Sequence, residues 1–515
     1  MPPAANEPEK YSIDEMMERL KGQATGNPPV AGELVTRADG TQALRVRKHK
    51  RRSEQPKRDE AKRIKRLRML QVASVLVLLL LTGLAIGGAY VYANTAPYCK
   101  AITAAIASGT GANVELRKFR VNPASANVDT ITLEWPDGSF LKSVNLNGVS
   151  ADISPLSFFG SKLRGEEISA RDGSLWLLPA ADSSPNHSAA HLPGGFPVHF
   201  RRISIPKFNI SLGESTRPTL SILATEASLR MDDTAYQTTL HLYHGSLQLA
   251  GWPSFKIDRA VMEFRNTETE LVVLRLTDSQ PKHGILDLSG MLLPLASQSP
   301  SVLSVKLDNF DFGELLGSEF GDLISAKIDT RTDGATNSLR LLPNSPASAD
   351  LSLAFKSALS SKVSVRNFPF LLSLMRTLND TWYENPTFVG DFTGLIHRQN
   401  PNTELRELRL ESKSRMAIHA QLTSTADKSL SGTMQIGIPE SIAQLAHNSK
   451  IHSMLSKPHD GYRWLSLKLG GSLSHPSDDF AALYAAAKES DLDADEPPTG
   501  ESDKAPSETT SPNDP

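Results

Sequence analysis

The chain has 515 residues and a nearly balanced charge, 55 Lys and Arg against 57 Asp and Glu. That length accommodates two or three domains, or one long β assembly. A single cysteine, Cys99, excludes an internal disulfide framework and any Cys-rich metal centre. The charge is segregated: residues 1–68 carry seventeen basic and ten acidic side chains, and residues 488–515 carry two and nine. The part between them is close to neutral and offers no footprint for nucleic acid.

Residues 12–21 carry the marks of a short amphipathic helix. Ser12 and Glu15 form a capping box, Ile13, Met16, Met17 and Leu20 fall at i, i+3, i+4 and i+7, and Gly22 ends it. Three turns are marginal alone, so this stripe is a candidate face for a partner protein. Residues 33–46 alternate around Asp39-Gly40, the signal of a type I′ hairpin. Between Arg45 and Arg68 thirteen Lys or Arg stand against Glu54, Asp59 and Glu60, with no aromatic residue interleaved. That composition suits anionic lipid headgroups or the setting of membrane topology better than nucleic acid.

Met69 to Ala93 is twenty-five residues without a charge. As a helix it reaches roughly 37 Å, enough to cross a hydrocarbon layer of about 30 Å with some tilt. It has no polar face, as a buried core helix of this length would. The basic flank before it and the neutral flank after it place residues 1–68 in the cytoplasm and export the rest. The charged leader and the apolar run are both too long for a cleaved signal peptide. Gly83 and Gly87 form a G-x-x-x-G pair, and with Cys99 just outside the membrane they are compatible with a parallel dimer.

Beyond the span, Thr95 and Pro97 open a helix with Tyr98, Ile102 and Ile106 on one face, ended at Gly109. The period then becomes two. Ile131, Leu133 and Trp135 alternate with polar residues up to a Pro136-Asp137-Gly138 turn; Val144 and Leu146, then Val149, Ala151 and Ile153, continue the pattern around a bulge expected at Gly148. Pro179–Pro197 is a Pro-, Ser-, Ala- and His-rich break, and strand signals resume at Ile203 and Ile205. They recur at Leu286 and Leu288, at Leu303 and Val305, and through to Leu465, Leu467 and Leu469. Short helices are expected at Phe312–Phe320, Pro369–Leu378 and Asp478–Ala487, and the acidic remainder reads as disordered.

Strands with one apolar and one polar face must place the apolar side somewhere dry. Two packed sheets would do this, and so would a curled sheet whose inner face meets acyl chains; the period is the same for both. Catalytic motifs are missing: there is no G-x-S-x-G elbow, H-E-x-x-H or phosphate loop. His187 with His191, and His241 with His244, lack a context for metal binding, and Glu166 and Glu167 point to opposite faces of a strand. The reading is a non-enzyme that needs no cofactor.

Two stretches carry a family resemblance. GANVELRKFRVNP, followed by DTITLEWPDGSFLKSVNLNGVSADISPLSFFGSKLRGEEISARDGSLWL, resembles the N-terminal unit of the AsmA family of envelope proteins; SGTMQIGIPESIAQL and WLSLKLGGSLSHPSDDF resemble its closing β region. The resemblance covers residues 70–180 and, more loosely, 385–485. It implies a bacterial inner-membrane protein with a periplasmic β-groove that assists phospholipid transport or outer-membrane biogenesis, with lipids and other envelope proteins as partners. The long basic arm lies outside the family pattern.

The expected fold is mainly β: a single transmembrane helix, then an elongated, curled antiparallel sheet forming a groove, with a few short helices. Its parts are a basic arm (1–68), the span (69–93), a membrane-proximal β unit (94–180), a linker (181–197), a groove body (198–487) and an acidic tail (488–515). Groove-lining candidates are Ile131, Leu133, Trp135, Val144, Leu146, Ile153, Ile203, Ile205, Leu286, Leu288, Leu303 and Val305. The alternative is an envelope scaffold whose β core is sealed.

Overall fold

The computed structural model describes residues 33–36, 38–40, 42–45, 55–122, 124–154, 163–178, 198–232, 237–265, 268–280, 282–293, 299–333, 337–342, 345–359, 361–390, 392–445 and 449–487. The expected helix at 12–21 with Ile13, Met16, Met17 and Leu20, the linker at 181–197 and the tail at 488–515 lie outside them. Contacts divide the chain into two compact units, Met1–Ala85 and Ile86–Pro515.

In the first unit β1 (Glu33–Thr36) pairs antiparallel with β2 (Gln42–Arg45). Gly40 takes φ 79° in the connection, a value that favours glycine, but five residues separate the innermost pair Thr36 and Gln42, so the hairpin is closed by a wider loop than the expected type I′ turn. Helix α1 (Gln55–Ala93) starts well before the apolar run, because Lys, Arg, Ala, Leu and Glu are all good helix formers and Pro56 suits a first turn. Over Lys62–Ala93 it is long and apolar enough to cross a membrane, and its most apolar stretch is not buried against the rest of the described chain.

The second unit begins with the last turns of α1 and continues into α2 (Ala96–Thr110). Gly111 caps α2 in the left-handed region at φ 69°, its N–H donating to Ala107 O at 2.8 Å, two residues beyond the expected stop at Gly109. A continuous ladder of strands follows. β3 (Asn113–Arg117) and β4 (Arg120–Asn122) share one side of β5 (Ser125–Glu134), which pairs with β6 (Leu141–Asp152). β7 (Leu163–Ser169) and β8 (Asp172–Leu177) both pair with β6 on one side and β9 (Val198–Glu214) on the other. Next come β10 (Arg217–Asp232), then β11 (Gln237–Tyr243) and β12 (Ser246–Leu249) side by side, then β13 (Phe255–Arg265), β14 (Glu268–Thr277), β15 (Ile285–Leu292) and β16 (Ser301–Asp308).

The remaining strands are β17 (Phe310–Asp311), β18 (Ile324–Ser325), β19 (Lys327–Thr330), β20 (Ser338–Leu342), β21 (Ser345–Ser357), β22 (Lys362–Val365), β23 (Thr387–Val389), β24 (Phe392–Gln399), β25 (Asn402–Ser412), β26 (Met416–Ser424), β27 (Leu430–Pro439), β28 (Tyr462–Gly471) and β29 (Pro476–Asp478). The ladder passes from β16 through β20, β21 and β24 to β29, while β18, β22 and β23 form a small separate sheet. No described pairing joins β3 or β4 to β29, so rings of strands close only locally, as where β7 and β8 both bridge β6 and β9.

The chain is thus mainly β with one large curled sheet, but the sheet is mixed rather than wholly antiparallel. β7 and β8 run parallel to β9. Parallel neighbours need a crossover instead of a tight turn, and the Pro- and Ser-rich stretch between Leu177 and Val198 supplies its length.

From β13 onward the inner face is closed by helices. α3 (Phe312–Leu316), α4 (Ser318–Leu323), α5 (Pro369–Leu378), α6 (Glu440–Leu445), α7 (Ser449–Met454) and α8 (Phe480–Ala486) contribute Phe312, Phe320, Phe370, Leu374, Ala443, Ile451 and Phe480 to one large buried cluster. Phe312, Phe355 and Phe392 meet as a trio, ring centroids 4.9–5.8 Å apart.

Candidate functional site

The strands of the first half of the sheet are in a register that aligns apolar residues across the ladder. One row runs Val114, Leu133, Val144, Leu175, Ile210, Ile222, Leu247, Phe255, each residue directly opposite the next. A second runs Leu116, Ile131, Leu146, Gly173, Phe208, and a third Leu141, Leu177, Leu212, Leu220, Leu249. Neighbouring strands stand about 4.8 Å apart, so each row is a stripe across the sheet and not along it. Gly148, at φ 60°, sits where the alternation on β6 changes from Val149 to Leu146 without loss of register.

Cover decreases toward the start of the ladder. In the first row Leu247 and Phe255 are buried, whereas Val114, Leu133, Val144 and Leu175 keep partial exposure. Leu116, Ile131, Leu146, Leu177 and Phe208 do the same. The buried residues of this cluster, Val128, Val149, Ala170, Ile205, Ile210, Ala227, Leu242 and Ala260, all come from the sheet or its bends; among the described residues no helix joins it. An apolar sheet face ordinarily demands a second layer; among the described residues helices supply one only beyond β13, and before it the buried residues pack within the sheet itself.

Apolar contacts run on from this face in both directions. Phe119 links it to a small cluster of Ala93, Val121, Ala126 and Ile153 with Tyr98, at the last turn of α1; Ile222, Met262 and Leu274 link it to the large closed core. Trp135 donates its indole N–H to Thr110 O at 2.9 Å and ties α2 to the sheet.

The groove-lining residues expected from sequence therefore fall in different settings. Ile131, Leu133, Val144, Leu146 and Ile203 lie on the partly covered face, and Ile205 is buried within its cluster. Ile153 belongs to the small cluster with Ala93, Val121 and Ala126, and Trp135 ties α2 to the sheet. Leu286, Leu288, Leu303 and Val305 lie in the helix-covered core, Leu288 directly opposite Val305. Of the anchor ends, Met69 is exposed and Ala93 buried. Gly83 and Gly87 have open space around them, and Cys99 is a partly buried free thiol.

Polar groups around this face pair locally. Glu166 and Glu167 meet Arg201 and Arg202 from adjacent strands at 3.5 and 3.8 Å, on exposed faces where such pairs contribute little. The Asp172 carboxyl is held below its ordinary range first by the Asn147 amide, at 2.6 Å, and then by Arg171. Among the described residues no group of three or more His, Cys, Asp or Glu could hold a metal.

Sequence reasoning missed Arg398. On β24 the inward positions are Phe392, Gly394, Ile396 and Arg398, so the guanidinium occupies a slot that the period assigns to an apolar side chain. An arginine continuing an apolar alternation was the available signal. Compared with protein-family models, curated proteins and solved structures, the chain matches none.

Proposed function

We propose that this is a single-pass inner-membrane protein of a bacterium with an outer membrane, whose periplasmic sheet shields lipid acyl chains from water in the manner of the AsmA family it resembles. The reading is non-catalytic: it serves phospholipid transport or outer-membrane assembly. The observation that carries it is the partly covered apolar face of β3–β13, striped across eight strands and continuous, through Phe119, with the apolar cluster at the end of α1. Covering such a face with acyl chains removes apolar area from water at about 25 cal/mol per Å². The basic residues before Met69 support a cytoplasmic N-terminus and an exported body.

The closed core narrows the reading. Lipid contact belongs to β3–β13, and the helix-filled half acts as a folded platform beyond it. The test is the phosphorus and fatty-acid content of the full chain purified in mild detergent. Lipid that is retained by the wild type and lost in Leu133→Asp and Leu146→Asp, both still cooperatively folded, supports the proposal. A folded wild type with no lipid favours the scaffold alternative.

A further inference from the structure

The ladder of strands has two ends, and their edges are treated differently. At the far end β29 pairs with β28 over Leu469–Gly471, and side chains cover β28 before that. Ser456 donates its N–H to Trp464 O at 2.9 Å and accepts from Trp464 N at 3.0 Å through its hydroxyl; the Asp479 carboxylate accepts from Lys468 N at 2.8 Å. At the near end Asn94 covers β4 through its two bonds to Val121. β3 is left out. It pairs with β5 on one side, and among the described residues nothing bonds the backbone on its other side. An open strand edge is a template for another strand, and proteins ordinarily blunt it.

The residues of β3 select the strand that fits. Val114 and Leu116 lie on the apolar side with partial exposure, while Asn113, Glu115 and Arg117 lie on the other and are exposed. A slip of one residue turns every side chain to the wrong face, so two copies of β3 pair antiparallel only about a residue set opposite itself. Centred on Glu115, the pairing sets two carboxylates against each other. Centred on Val114, it sets Glu115 against Asn113 and carries Arg117 past the end of the partner strand. Centred on Leu116, it sets Glu115 of each chain opposite Arg117 of the other, twice. Opposite charges directly across a strand pair are favourable and like charges are not. Within one chain Glu115 and Arg117 meet along the strand at 2.8 Å, both more than half exposed, where such a pair contributes little and is readily exchanged.

We propose that two copies of this chain associate through β3, antiparallel and centred on Leu116. The two-fold axis stands normal to the sheet, so both apolar faces lie on the same side. The second apolar row then runs without a break, from Leu146, Ile131 and Leu116 of one chain into Leu116, Ile131 and Leu146 of the other. β3 is five residues long, and such a contact falls short of the roughly 1,200 Å² of a stable interface in solution. α1 confines both copies to one membrane and raises their effective concentration. The association draws on the anchored part of the reading above and not on its lipid part, and it uses neither Gly83 and Gly87 nor Cys99.

Oxidative cross-linking of the full chain in its native membranes tests it, in a Cys99→Ser background. Leu116→Cys places a thiol at the two-fold axis and is expected to give a disulfide-linked dimer. Val114→Cys lies on the same face, but the register separates its two copies by about 13 Å along the strand, beyond the reach of a disulfide, and it is expected to stay monomeric. Arg117→Glu added to Leu116→Cys turns both ion pairs into repulsions and is expected to lower the dimer yield about tenfold; Glu115→Arg together with Arg117→Glu is expected to restore it. No dimer from Leu116→Cys, equal cross-linking at both positions, or a yield indifferent to the charge changes overturns the proposal. Phospholipid content of the same samples reads the lipid proposal separately, so either fails without the other.

Discussion

The side-chain amide of Asn94 grips the backbone of Val121 from both sides: its Nδ2 donates to Val121 O at 2.9 Å, and its Oδ1 accepts from Val121 N at 2.8 Å. An asparagine directly after α1 thus takes the place of a neighbouring strand on β4, at the edge where the ladder begins. A strand edge with unpaired groups invites stray pairing, and here it is tied to the end of the helix instead. Asn94→Ala removes both bonds and leaves backbone groups unpaired at about 1–3 kcal/mol. Amide hydrogen exchange at Val121 is expected to speed up by about tenfold or more on that scale; unchanged protection would show that the clamp is incidental.

The orientation of the anchor is testable with the one native thiol. Cys99 follows α1 by six residues and is partly exposed. In intact spheroplasts, with the outer membrane removed, a membrane-impermeant maleimide is expected to label wild-type protein and not Cys99→Ser. Labelling only after lysis would reverse the proposed topology.

The closed half should answer to mutation as a core, not as a binding surface. Phe355 is fully buried between Phe312 and Phe392, so Phe355→Ala should cost about 3–5 kcal/mol by opening a cavity. Thermal or denaturant unfolding reads the loss. Lipid retained per folded molecule is expected to stay at the wild-type value.

Acid should destabilise the fold through His419. Its ring packs on Trp464 with centroids 4.7 Å apart, and burial, aided by Arg409, holds its pKa below the ordinary 6.5. The folded state favours the neutral ring, so this contribution is complete above the unfolded value and is lost as pH falls through the folded one. Burial raises the pKa of Asp311 and Asp478, which act in the opposite sense. The melting temperature of the wild type is expected to fall between pH ~7.5 and ~5.5 more steeply than that of His419→Gln. Parallel curves would remove His419 from the account.

Much of this architecture could be read from residue patterns. The hairpin around Asp39-Gly40, the uncharged run from Met69 and the period-two alternation each have a local physical cause, and each corresponds to an observed element. What the patterns did not distinguish was cover. Leu286 and Val305 alternate just as Leu133 and Val144 do, and the difference lies in Phe312, Phe320 and Phe370, brought over the former from elsewhere in the chain. The parallel pairing of β7 and β8 with β9 was equally hidden, since it depends on where a long connection returns. Arg398 escaped because a charged residue on a strand is ordinarily assigned to the solvent side.

The central claim is that the apolar face of β3–β13 touches lipid while the core beyond it does not. A photoreactive p-benzoyl-phenylalanine placed at Leu175, on the partly covered row, or at Leu353, 2% exposed in the closed core, reads this directly in cells. Lipid adducts at Leu175 and none at Leu353 are the expected result. A folded protein with no lipid adduct at Leu175, or with equal adducts at both positions, would contradict it.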